Sequence, residues 1–238
     1  MKEDNPILKL DWCSNEAAKF SVMNYHYSKC MPKSKLVKIG VWENNKFIGC
    51  VIFGSGANNN MLKPYGLSIQ EGCELVRIAL STHKSPVTKI VSIAIKLLKQ
   101  NFPKLRLIIS YADQRQNHLG IIYQAGNWIY MGSLKSTDEY FIDGKWWHKR
   151  AVYSSFGSYK NVKYSGKRDG GYRFRYLFPL DDEMRLKIEP LRKPYPKDLC
   201  VESSKSEQAI SNSKVAENYR PQRSIITHAE NKKTCKSK

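Results

Sequence analysis

The sequence predicts an α+β fold: a central mixed, largely antiparallel sheet flanked by helices, with a basic, aromatic-rich C-terminal extension. Three observations predict it. The apolar runs Val37 to Trp42 and Phe47 to Phe53 flank the turn Glu43-Asn44-Asn45-Lys46, the pattern of an antiparallel hairpin. A helical apolar spacing over residues 87–101 separates two buried-strand patterns, CELVRIAL (Cys73 to Leu80) and Leu105 to Ile109. Finally, RLIISYADQRQNHLGIIYQAGNWIYMGS, Arg106 to Ser133, reads as strand, short helix and strand.

Taken in order, Ile7 to Trp12 reads as a first strand. Ser14 caps a helix that runs toward Tyr25, with Ala17, Ala18, Phe20 and Val22 expected inward. After the hairpin, Gly54 to Asn60 is a polar loop without a P-loop lysine or a full GxGxxG, so it reads as a loop over a site or as plain surface. In CELVRIAL, Glu74 and Arg77 stand three apart, which on a regular strand places them on opposite faces. Ser85-Pro86 starts the next helix, whose Ile90, Ile93, Ala94, Leu97 and Leu98 bury one side. Asp113 closes the following strand at a polar edge. Leu119 opens a helical pattern through Ile122, Tyr123 and Ala125, and Gly126-Asn127 stops it.

Among the 238 residues, Lys+Arg 40 against Asp+Glu 21 gives a net charge of +19, which favours polyanionic partners such as nucleic acid. From Lys145 to Lys197 the basic residues interleave with aromatics such as Trp146, Trp147, Tyr164, Tyr172, Phe174 and Tyr176. That composition suits phosphate contact and base stacking. Lys149, Arg150, Lys163, Lys167, Arg168, Arg173 and Arg175 are the candidate DNA contacts, with Lys163 to Arg175 expected as a basic loop or hairpin tip. No apolar run is long enough for a membrane span, and the start of the chain lacks the apolar core of a signal peptide, so a cytoplasmic location in whatever cell makes the protein is expected. The six cysteines form no CxxC pair and read as reduced thiols. The expected layout is a core over 1–144, the basic segment over 145–197 completing the fold, and a disordered tail over 198–238.

Read alone, His26 is a packed aromatic or a proton carrier, Asp113 a turn former or a base or metal ligand, and Tyr123 a core residue or an acid. Four blocks weigh on that choice: NYHYSKCMP (Asn24 to Pro32), ELVRIAL (Glu74 to Leu80), Arg106 to Ser133, and RYLFPLDDEMR…PYPK (Arg175 to Lys197). They resemble the Mom-type DNA modification proteins of bacteriophages, divergent members of the GNAT class of acetyltransferase folds. The resemblance implies a GNAT-like core, with His26, Tyr27, Arg77, Asp113 and Tyr123 as catalytic residues. It implies acetyl-CoA along Ile78, Leu80, Lys84 and Ser85, although the Gly-rich pyrophosphate loop of ordinary acetyltransferases is absent here. Iron held by His26 and Asp113 would be chemically acceptable, since simple acyl transfer does not explain attachment through a methyl carbon.

The implied activity is that of a transferase converting adenine in DNA to its N6-carbamoylmethyl (acetamido) form, which shields phage DNA from restriction. Two other readings stay open at this point: a non-catalytic DNA-binding protein on this scaffold, and an ordinary acetyl-CoA-dependent N-acetyltransferase. Monomer and dimer are both compatible with the sequence.

Overall fold

The computed structural model of the chain describes residues 5–56, 60–158 and 162–197, apart from the side chains of Arg150 and Ser154; the expected tail over 198–238 lies outside the described residues. In chain order the elements are β1 (Leu8–Trp12), α1 (Asn15–Tyr25), β2 (Leu36–Glu43), β3 (Lys46–Gly54), β4 (Gly72–Leu80), α2 (Val87–Asn101) and β5 (Leu107–Asp113). Then follow α3 (Ile121–Ala125), β6 (Ile129–Lys135), β7 (Glu139–Ile142), β8 (Lys145–His148), α4 (Lys149–Phe156), β9 (Gly166–Arg168), β10 (Tyr172–Pro179) and α5 (Asp182–Ile188).

The main sheet has seven strands in the order β1-β2-β3-β4-β5-β10-β6. Its pairs are antiparallel except β4 with β5, which α2 connects as a crossover. The architecture is the α+β class expected from sequence, a mixed, largely antiparallel sheet flanked by helices. The hairpin turns on Asn44 and Asn45, at φ 50 and 66, the left-handed pair that a two-residue turn requires. β10 lies between β5 and β6, so residues from the C-terminal segment complete the central sheet. The smaller sheet runs β8-β7-β9. The expected boundary at 144 falls in the turn joining β7 to β8.

Ser14 caps α1 as predicted, its Oγ accepting from the Ala17 N–H at 3.2 Å. The buried stripe of α1 is Ala18, Ser21 and Val22, whereas Phe20 is 53% exposed. Phe20 sits off that stripe and instead packs edge-on against Tyr25, ring centroids 5.8 Å apart. Asp181 caps α5 by accepting from the Met184 N–H at 2.7 Å, and its carboxylate also takes Arg106 Nε and Nη2 at 2.9 and 3.0 Å.

The two faces of the sheet are covered differently. One carries the main apolar core, in which Ile90 and Leu98 of α2 and Tyr123 of α3 meet Val51, Leu75, Ile108 and Tyr176. The other has two separate covers. Ala18 and Val22 of α1 pack on Cys50, Ile52 and Ala79, while Met184 and Ile188 of α5 pack on Leu107, Ile109 and Leu177. Between those covers the far ends of β4 and β5 and the start of β10 present polar side chains. That gap is the candidate site. Among the described residues no helix is long and apolar enough to cross a membrane.

Candidate active site

The ladder between β4 and β5 runs from Gly72–Leu107 to Leu75–Ser110 and stops there, although both strands continue, to Leu80 and Asp113. On the other side of β4 the register with β3 shifts: Phe53 faces Leu75 and Ile52 faces Arg77, so Val76 is an extra, bulged residue. The bulge corrects the expectation for Glu74 and Arg77. One inserted residue resets the alternation, and both side chains point to the same face. Across β5, Arg173 lies opposite Asp113 and Arg175 opposite Tyr111, on that face too.

His26 and Tyr27 arrive at the end of α1. The Ser28 N–H donates to His26 Nδ1 at 3.1 Å, and Ser28 Oγ lies 2.8 Å from the same nitrogen. An accepting Nδ1 places the ring proton on Nε2. The His26 and Tyr27 rings pack 4.3 Å apart, and His118 meets Tyr27 edge-on at 5.5 Å. Arg77 Nη1 donates to Val76 O at 2.7 Å, and Nη2 to Cys30 O at 3.4 Å, which ties β4 to the loop beyond His26. Asp113 Oδ1 accepts from the Arg115 N–H at 3.0 Å, the turn-forming use considered from sequence, realised here inside the cleft.

These groups feel one another. Burial, then the cations Arg77 and His118, push the His26 imidazole down to about 4. Loss of water and then the Asp113 carboxylate raise the half-exposed Tyr27 phenol, against Arg77 and Arg173. At neutral pH the cleft thus holds an uncharged imidazole, a protonated phenol, guanidinium groups and a carboxylate. Deeper along the same face, burial and then Glu74 push Tyr111 up to about 12. The buried Nε atoms of Arg77 and Arg175, and Oη of Tyr65 beside them, have no hydrogen-bond partner. Unsatisfied buried donors of this kind call for a polar ligand.

Tyr123 is placed differently from the other four expected residues. It sits in the core on the opposite face, 8% exposed, between Trp128 and Tyr176. Its Oη lies 2.7 Å from Ser110 Oγ, which is 2.9 Å from Leu75 O. A carbonyl only accepts, so the serine proton goes to Leu75 O and the tyrosine proton goes to Ser110 Oγ. This relay spans the last rung before the strands part, and burial raises the Tyr123 phenol to about 12.

The basic segment is not one free tip. Lys167 pairs with Asp138 at 2.9 Å, and Arg168 pairs with Glu139 at 2.7 Å while lying 4.1 Å over the Trp146 ring. Lys145 similarly covers Trp147 at 4.1 Å. Those charges and rings are spent inside the small sheet, because β9 pairs with β7. Gly170 then lets the chain pass Thr137 O, which a Cβ would meet at 1.9 Å, and β10 enters the large sheet. Arg173 and Arg175 therefore line the cleft. Lys163 is exposed, Lys149 opens α4, and the Arg150 side chain lies outside the described residues. Two surface hollows, about 490 and 470 Å³, lie off the cleft; the second is lined by Lys19, Met31, Lys33 and Lys38, next to the loop that Arg77 holds.

The model of the Mom protein family matches residues 7–197. The chain belongs to the Mom family. A curated relative, the methylcarbamoylase Mom of Escherichia phage Mu, is 25% identical over 186 residues, covering 68% of this chain and 77% of that one. Solved structures similar to it include FeeM, an N-acyl amino acid synthase from uncultured soil microbes (TM-score 0.45, 10% identity, 78% of this chain and 96% of that one). Another is the ribosomal-protein-S5-alanine acetyltransferase of Vibrio fischeri (TM-score 0.43, 13% identity, 75% and 98%). At these scores the likenesses add nothing to the architecture already described.

Two ligands implied by the Mom resemblance can be tested against the residues present. Ile78 and Leu80 lie on the stretch of β4 that β5 leaves unpaired, an edge open to a linear ligand. The backbone N–H groups of Lys84 and Ser85, at the helix start that could still hold a phosphate of acetyl-CoA, are instead satisfied at 3.0 and 2.8 Å by the two carboxylate oxygens of Glu43. The pyrophosphate does not fit that seat. For iron, no group of three or more His, Cys, Asp or Glu side chains converges among the described residues. In addition, His26 Nδ1 is occupied by Ser28, so the metal pair expected from sequence lacks a supporting ligand set.

Sequence reasoning missed Tyr111 and Tyr65 on the face of this site, and Glu43 and Ser110 as supports outside it. For Tyr111 the signal was present, since it stands two residues before Asp113 on the same strand and so shares its face. His118, at the turn before α3, also joins the site by packing on Tyr27.

Proposed function

We propose that this chain is a phage DNA-modification transferase that attaches the carbamoylmethyl (acetamido) group to N6 of adenine and so protects the DNA from restriction. The observation that carries the reading is the polar gap on one sheet face, where His26, Tyr27, Arg77, Asp113, Arg173 and Arg175 gather beneath no helix. Membership of the Mom family, with a methylcarbamoylase among its relatives, supports it.

N6 is paired inside a duplex, so the base must be everted to react. Arg77 and Arg175, with buried Nε donors lacking a partner, suit the phosphates flanking such a nucleotide. Lys19, Lys33 and Lys38 would track the strand leading to it. Tyr27, half-exposed and tilted 31° against the His26 ring, offers a stacking face.

Forming the new N6–carbon bond expels one N6 proton. Asp113 is the carboxylate placed to accept it, and the Arg115 N–H and the facing Arg173 orient that carboxylate. His26, uncharged with its proton on Nε2, and Tyr27, held protonated, act as hydrogen-bond donors toward charge developing on the departing part of the donor molecule. Tyr123 acts through the Ser110 relay, fixing the rung at which β4 and β5 separate. The group donor meets the protein along Ile78 and Leu80. An acyl-CoA is the donor the family resemblance implies; its methyl carbon carries only hydrogen, so the step as written takes a donor whose methylene carbon bears the group that leaves with the bonding pair as N6 attacks.

The test is to express the protein in bacteria, digest their DNA to nucleosides and look by mass spectrometry for carbamoylmethyl-deoxyadenosine, with Asp113→Ala and Arg77→Gln alongside. Modified nucleoside from the wild type, lost in both variants, is expected. Unmodified DNA from cells holding folded protein would defeat the proposal in favour of DNA binding without chemistry.

A further inference from the structure

Glu43 is the last residue of β2 and is fixed on both sides: it sits opposite Leu8 of β1 and opposite Lys46 across the hairpin. Its carboxylate reaches 41 residues along the chain to accept from Lys84 N–H with one oxygen, and 42 residues to accept from Ser85 N–H with the other. The Ser85 hydroxyl beside it and then these backbone bonds hold the Glu43 carboxyl below the usual carboxylate range. Ser85 is 3% exposed, so its N–H cannot turn to water instead. Pro86 follows, removing one donor that an incoming anion could use. The Lys84 and Ser85 amides ahead of α2 are therefore filled from within, while the buried Ser85 Oγ beside them has no hydrogen-bond partner.

We infer that the Glu43 bonds to the Lys84 and Ser85 amides form a structural joint, and that the group donor used by this chain is not held by a pyrophosphate on those two amides. A pyrophosphate entering that seat would have to displace a carboxylate anchored in two strand ladders. It would then sit beside that carboxylate, like charge against like charge. The donor is instead recognised along the open edge of β4 and in the arginine-lined gap, without a nucleoside-diphosphate handle on the Lys84 and Ser85 amides. This inference concerns how the donor is anchored and stands whether or not the acceptor is DNA.

The experiment titrates the full chain with coenzyme A while following thermal unfolding and backbone hydrogen exchange. A ligand well above its Kd would raise Tm by roughly 5 °C or more in a chain of this size. Millimolar coenzyme A is expected to leave both Tm and the exchange of the Lys84 and Ser85 amides unchanged. In Glu43→Gln those amides should exchange about tenfold faster, the effect of weakening a charge-assisted bond. Coenzyme A binding that protects the two amides in the wild type would overturn the inference, as would unchanged exchange in a folded Glu43→Gln. Binding of coenzyme A without protection at Lys84 and Ser85 would support it. If Glu43→Gln does not fold, the wild-type titration alone decides. Loss of DNA modification touches none of these readouts, so the two proposals fail separately.

Discussion

The relay Tyr123–Ser110–Leu75 makes an unusual demand on stability. In Tyr123→Phe, Ser110 Oγ still donates to Leu75 O at 2.9 Å and loses only an acceptor contact, so the cost should be about 0.5–1 kcal/mol. In Ser110→Ala two groups suffer. The Tyr123 hydroxyl, in a residue 8% exposed, is left as a buried donor without a partner, and Leu75 O loses its bond, for a total of about 2–3 kcal/mol. The double variant removes the orphaned hydroxyl. It should therefore be more stable than Ser110→Ala alone, with a coupling of about 1 kcal/mol. Equilibrium urea unfolding followed by tryptophan fluorescence reads this directly, since buried Trp128 lies 5.0 Å from the Tyr123 ring. Tyr123→Phe costing more than Ser110→Ala, or strict additivity in the double variant, would refute the proton direction assigned to the relay.

Three further outcomes are expected. His26, displaced to about 4 from an unfolded value near 6.5, binds its proton less readily when folded, so its contribution makes stability rise with pH across that window. An NMR titration of its ring should show a midpoint near 4; a midpoint above 6 would contradict the burial argument. Asp181 acts in the same direction at lower pH: Arg106 holds its carboxyl low, so its stabilisation is present above the ordinary carboxylate pKa of about 3.9 and fades as pH falls through the depressed folded value. Asp181→Asn should flatten that acid limb in urea midpoints, and an unchanged limb would dismiss the bridge. For DNA binding, Arg175→Gln should lower the slope of log affinity against log salt by about 0.9, one phosphate contact. Lys167→Gln and Arg168→Gln, whose partners are Asp138 and Glu139, should leave the slope nearly unchanged; equal effects from all three would remove the distinction between cleft and small sheet.

What the sequence made legible was local. Asn44-Asn45 marks its own turn, Ser14 its own cap, and the apolar spacing around Ile90, Ala94 and Leu98 its own helix, because each signal lies within a few residues of its effect. The bulge at Val76 leaves no trace in composition, yet it decides which way Arg77 points. Glu43 and Ser85 meet across 42 residues, a pairing that no window along the chain contains. Arg173 and Arg175 looked like part of a basic tip because their neighbours are basic. The alternation Arg173, Phe174, Arg175, Tyr176 was the better guide, since it is the signature of a strand with one apolar and one polar face.

The place of β10 bears on how the chain comes to be folded. Its register puts Arg173 against Asp113 and Leu134, so β5 and β6 each wait for a strand made well after them. Until residue 179 has left the ribosome, both carry an unpaired edge rich in Ile, Leu and Tyr, the kind of surface that recruits other chains. Closing so long a loop is slow relative to local hairpins. Folding should therefore proceed in two stages, with the β2–β3 hairpin and α2 early and the arginine-lined face only at the end. A truncation just before Tyr172 would be expected to aggregate rather than yield a smaller stable core.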